Sequence, residues 1–213
     1  MKNLIIRVDD LGFSETVNLG IQKVCKDGIV SVISMMSNMK ASVHGYQAIK
    51  EYNVQIGLHV NLSVGEPVSD IYMIPSLVND KGLFPSSDEI RVRKEDTINI
   101  QEAKIEIIAQ VEKFKEITGM NPSFINAHAI QSPHFFEALK QVSDTYGIFL
   151  DNAFINKKWE EKYSLSAFSM PSLNKNGTYD CQQNFLENYK KRRKEKTGIS
   201  VFHPRYIHQY FMY

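Results

Sequence analysis

Apolar residues in this chain come in short runs separated by amphipathic stretches of helical length. Leu4 to Val8 is a largely β-branched run with the character of a strand. Ser14 then caps a predicted helix through about Lys26, with Val17, Ile21, Val24 and Cys25 at helical spacing and Gly28 where a C-terminal cap belongs. Residues 30–37 (VSVISMMS) read as a second strand, 41–52 as a helix, and 54–63 (VQIGLHVNLS) as a third strand. Residues 100–119 form the clearest amphipathic helix, closed by Gly119. SFINAH (123–128) is a fourth strand, after which Ser132 and Pro133 start a helix that Gly147 ends. Further strands are predicted at 148–150, 166–170 and 199–203, with a helix over about 182–196 before the last.

This alternation predicts a parallel sheet covered by helices, and six or seven such units fit either a doubly wound sheet or a barrel. Neither GxGxxG nor GxxxxGK[ST] follows any strand, which argues against nucleotide binding and favours the barrel. Residues 64–99 break the rhythm. They are rich in Pro, Gly, Ser and Asp, and a connection of that length is expected to act as a lid or binding loop. With no repeat, low-complexity tract or linker, one domain over 1–213 is expected.

Composition narrows the functional classes. The chain has 213 residues, 43% apolar and 23% charged, as in ordinary globular proteins, and a net charge of +1 gives no overall attraction for nucleic acid or an anionic membrane. The basic run YKKRRKEK (189–196) reads as the solvated face of a late helix. No apolar run approaches the length of a membrane span, and the first residues lack a signal pattern. Cys25 and Cys181 belong to no CxxC pair, so they are expected to be reduced structural thiols in a cytoplasmic protein.

Polar residues that resist a packing explanation collect at predicted strand ends. Asp9 and Asp10 follow the first strand, Ser37 and Asn38 the second, His59 and Asn61 the third, His128 the fourth and His203 the last. In a barrel these ends share the face where sites are built. Adjacent carboxylates repel unless something positive lies between them. Asp9-Asp10 could also be a turn acid and a helix cap, and each histidine alone could be a satisfied core or surface residue, as His44, His134 and His208 are taken to be. Together, one carboxylate and two imidazoles make a plausible shell for a divalent cation, leaving the second aspartate as a base.

The segments VDDLGFSETVNLGI, IGLHVNLSVGEPVS, IPSLVNDKGLFP, NAHAIQSP and FHP occur in that order along the chain. In them the sequence resembles the YdjC-like carbohydrate deacetylases, which include chitooligosaccharide deacetylases that act on chitobiose. The resemblance implies a distorted (β/α) barrel, usually a homodimer, with a divalent metal such as magnesium or zinc. It implies Asp10, His59 and His128 as metal ligands, Asp9 as catalytic base and His203 as the acid. Asn61 and the 64–99 loop would lie beside the sugar. The implied reaction removes an N-acetyl group from a short amino-sugar oligomer, releasing acetate. Two alternatives stand beside it: a degenerate relative that binds sugar or metal without efficient catalysis, and another metal-dependent barrel enzyme such as a sugar isomerase or phosphoesterase. Where relatives usually carry an aspartate and further histidines around the fourth-strand histidine, this chain has Asn126, Ala129, Ile130 and Ser132. It has Asp151 where they often have arginine, and Arg205 where glycine is usual after the HP pair. The closing helix of the family is expected to be absent or shortened.

Overall fold

The computed structural model describes residues 4–152, 157–169, 180–192 and 195–204. The strands are β1 (Leu4–Leu11), β2 (Val32–Met35), β3 (Gln55–Val60), β4 (Phe124–Ala127), β5 (Phe149–Leu150), β6 (Leu165–Ala167) and β7 (Thr197–Phe202). Between them lie α1 (Glu15–Asp27), α2 (Ser42–Ile49), α3 (Ser87–Arg91), α4 (Ile100–Thr118), α5 (Pro133–Tyr146), α6 (Lys157–Lys162) and α7 (Cys181–Lys191). Every strand pairing is parallel, in the order β5-β4-β3-β2-β1-β7-β6. The sheet is curled into a partly open barrel. Arg7 on β1 forms an ion pair with Asp151, just beyond β5 and four places away in the sheet. Four strand spacings in a flat sheet would separate them by roughly 19 Å.

The two faces of the sheet differ in kind. Val8, Ile33, Met35, Leu58, Val60 and Ile125 pack with Ile107, Val111 and Phe114 of α4 and Phe135 and Leu139 of α5 in one hydrophobic core. Arg7, Asp9, Ser34, His59 and Asn126 alternate with them along the strands and are also buried. The short strands therefore carry apolar residues on the helix side and a polar set on the other. Close packing extends to Gly57 on β3, where a Cβ would come within 2.4 Å of the Phe124 ring.

Local signals placed the helices. The Ser14 hydroxyl accepts from the Val17 amide at 3.3 Å, Ser132 caps α5 with Pro133 in its first turn, and Gly119 and Gly147 close α4 and α5 in the left-handed conformation. Gly28 also ends α1, though with extended backbone. Other expectations change. β1 does not stop at Val8 but runs through both aspartates to Leu11, with its register against β2 shifting between Val8 and Leu11. The 64–99 segment holds 3₁₀ turns at Ile71–Met73 and Pro75–Leu77, and α3 with a Ser86/Glu89 capping box. It is fastened to α4 by the buried Glu106, which accepts from the amides of Val68 at 3.0 Å and Ser69 at 2.9 Å. The charged helix α6 has no apolar period to announce it. In the basic run, α7 ends at Lys191, and Arg192 is buried with its guanidinium 4.6 Å from the Tyr189 ring centre, so the run is not simply a solvated face. Met170, Arg205 and the YIHQYFMY end lie outside the described residues.

Candidate metal and catalytic site

A strand that stays regular points successive side chains to opposite faces, so adjacent aspartates could not both serve one site. The irregularity in β1 removes that restriction. Asp10 adopts φ +72°, a left-handed conformation that aspartate tolerates better than most residues, and the bulge re-aims its carboxylate. Asp10 Oδ1 then lies 3.4 Å from His59 Nε2 on β3 and 3.2 Å from His128 Nδ1, one residue beyond β4. The two imidazole nitrogens are 3.2 Å apart.

These three residues could hold a divalent cation. Donors at about 2.1 Å from one ion stand roughly 3.0–3.4 Å from each other, which the three separations match. Asp10 Oδ1 is buried and makes no hydrogen bond, although both imidazole nitrogens stand within 3.4 Å of it. One hard oxygen and two borderline nitrogens suit magnesium-like or zinc-like ions by donor type. Among the described residues no other His/Cys/Asp/Glu group of this kind occurs.

Asp9 has a different environment. Its carboxylate is 3% exposed, with Oδ2 accepting from Arg7 at 3.0 Å and Oδ1 2.9 Å from Arg7 Nε. Burial alone would raise the Asp9 carboxyl, but Arg7 and then His59 outweigh it and hold it below the ordinary range. Burial likewise acts upward on Asp10, and the closeness of His128 and His59 pulls it well down. Burial disfavours charge on both imidazoles. On His59 the negative Asp9 and Asp10 prevail and raise it; on His128 burial, reinforced by His59, prevails and lowers it.

His203 follows β7 and is exposed. It lines a cavity of about 270 Å³ with Asp10, Phe13, Val17 and Pro204, and its field also acts on Asp9. A cleft of about 560 Å³ lies between residues 90–98 and 129–133, directly after His128.

Asn61, expected beside the sugar, is fully buried, its amide nitrogen donating to the Val64 carbonyl at 2.7 Å and its oxygen accepting from the Ser63 amide at 2.9 Å. With both ends so engaged it builds the turn into the 64–99 loop. Ser37 and Asn38 serve the same structure, bonding to Gln110 on α4 and to Val64 and Glu66. His44 and His134 make local bonds, to Asn18 and to the Ile98 carbonyl; His208 lies outside the described residues.

Sequence reasoning missed four residues around the aspartates. Arg7 and Asp151 form the ion pair across the barrel; Asn126 connects Ser34 to His59. The signal for Arg7 was present: a charge inside an apolar strand, two residues before Asp9 and so on its face. Asn126, in the sequence only a departure from the relatives, bonds to His59, its register partner in the sheet. Asp151 had no local signal.

A family model described as YdjC-like protein matches residues 3–211. The chain belongs to this family. It is 33% identical over 147 residues to a carbohydrate deacetylase of Geobacillus stearothermophilus, covering 67% of this chain and 56% of that one. To a carbohydrate deacetylase of Halalkalibacterium halodurans it is 27% identical over 215 residues, covering 96% and 85%. The chain thus spans little more than half of the first relative and most of the second. In structure it resembles an Enterococcus faecalis protein provisionally described as cleaving cellobiose phosphate, with a TM-score of 0.79 and 19% identity over 97% of this chain and 82% of that one. That likeness is one of fold, the parallel (β/α) architecture described above.

Proposed function

We propose that this YdjC-like chain hydrolyses an N-acetyl group on a short amino-sugar oligomer of the chitooligosaccharide type, releasing acetate and a free amine. The observation that carries the reading is the Asp10–His59–His128 cluster with its orphaned carboxylate oxygen, standing beside a second carboxylate held apart from it. The carbohydrate deacetylases among its relatives support it. A divalent cation on the cluster, magnesium or zinc, would supply Lewis-acid polarisation of the acetyl oxygen and acidify the attacking water.

The remaining work falls to the chain's own side chains. Asp9 accepts the proton of the attacking water. Arg7 grips both Asp9 oxygens, so the carboxylate cannot swing over to join the ligands. His203, exposed beside the cavity that Asp10 also lines, gives a proton to the leaving amine as the C–N bond breaks. The polar cleft beyond His128 accommodates the rest of the oligomer. For its setting the reading keeps one domain in a cytoplasmic homodimer, supported by two free cysteines and by the family resemblance.

A competing reading, a relative that binds sugar or metal without efficient turnover, is favoured by the near-complete burial of Asp9. Metal content per chain and acetate release from N-acetylated chitooligosaccharides separate the two. The wild type is expected to hold about one ion and release acetate, and His128→Ala to do neither. Asp9→Asn should keep the metal and lose about 10²- to 10⁴-fold in rate. Metal without acetate release in the wild type establishes the binder; metal loss in Asp9→Asn exchanges the roles of the two aspartates.

A further inference from the structure

We infer that Asn126 is a positioning residue that keeps the His59 ring proton on Nδ1 and so presents a bare Nε2 to the cluster, with Ser34 holding the amide in that direction. The inference deepens the metal-site reading and rests on His59 being a ligand.

Three side chains form a continuous buried chain. His59 Nδ1 is 2.8 Å from Asn126 Oδ1, and Asn126 Nδ2 donates to Ser34 Oγ at 3.2 Å. All three are at most 4% exposed, so water does not complete their bonding. With the Asn126 NH₂ facing Ser34, the amide carbonyl is turned to His59. That carbonyl requires a donor, so Nδ1 carries the proton and neutral His59 has a lone pair at Nε2, the nitrogen 3.4 Å from Asp10.

Reversing the amide reverses everything downstream. The NH₂ would face Nδ1, the ring proton would move to Nε2 and point into the cluster, and Ser34 would have to donate its hydroxyl to the amide oxygen. A carboxylate in place of Asn126 would also accept from Nδ1, but would add a second buried anion near Asp9. The amide orients the ring without that charge.

The test is ¹⁵N NMR of the histidine rings in metal-free protein at about pH 9, above the ordinary imidazole range, paired with zinc titration calorimetry. Wild type should show His59 protonated at Nδ1. Asn126→Leu should move the proton to Nε2 and weaken zinc binding about 10- to 100-fold. Asn126→Asp should restore the tautomer and bind zinc more tightly than the leucine variant. Ser34→Ala frees the amide to turn and should give both tautomers; if Asn126→Leu does not fold, this variant and Asn126→Asp decide the matter. A wild-type proton on Nε2, zinc binding undiminished in Asn126→Leu, or an unchanged single tautomer in Ser34→Ala overturns the inference. A chain that passes yet releases no acetate fails the deacetylase reading alone.

Discussion

Replacing Arg7 with leucine removes the one guanidinium that two buried carboxylates share. Arg7 and Asp9 have side-chain exposures of 8% and 5%, and Asp151 9%, so neither acid can turn to solvent when the cation is lost. Breaking a buried pair by deleting one partner costs about 3–5 kcal/mol. At about 2–4 °C per kcal/mol for a chain of this size, the midpoint should fall by roughly 6–20 °C at neutral pH. The pH dependence is more diagnostic than the loss. In the wild type Asp9 is held below its unfolded pKa of about 3.9, so its pairing stabilises the fold above that value and is lost as pH falls through the folded pKa. In Arg7→Leu, burial acts on Asp9 unopposed by the guanidinium and raises it, so stability should improve as pH falls and Asp9 protonates. The gap between the two proteins should therefore narrow from about pH 7 to pH 4. Urea denaturation of both metal-free proteins at the two pH values provides the assay. A loss under about 1 kcal/mol at neutral pH, or parallel pH profiles, would refute the reasoning.

Glu106→Ala removes the acceptor for the Val68 and Ser69 amides and should cost about 1–3 kcal/mol, with new cleavage inside residues 64–99 in limited proteolysis; unchanged cleavage would show that the loop is held elsewhere. Burial pushes the Cys25 thiol up to about 11, whereas Cys181 is exposed. A thiol reagent at about pH 8 should thus modify Cys181 in the native chain and both cysteines only after unfolding, as counted by mass spectrometry. Metal binding requires His59 and His128 unprotonated, and His59 holds its proton above the ordinary imidazole range. Affinity should therefore fall as pH drops from about 8 to 6, and calorimetry that finds it flat excludes this pair as ligands.

The sequence alone determined most of the elements and singled out the polar groups that converge at the strand ends. Helix limits followed from local chemistry at Ser14, Ser132, Gly119 and Gly147, because capping depends on a few neighbouring backbone groups. Asp10, His59 and His128 were legible because polar side chains at the ends of apolar strands would be costly without a shared purpose. The tertiary structure decided what those groups are free to do. Asn61 looks like His59's companion in the sequence, yet the close approach of α4 and the turn at 63–64 leave it buried and fully bonded. Asp151 looks like a departure, yet curling brings it to Arg7 from four strands away. Two adjacent aspartates differ only because a bulge turns one toward the histidines while a guanidinium clasps the other. That distinction arises from backbone geometry and long-range contact, and no local pattern encodes it.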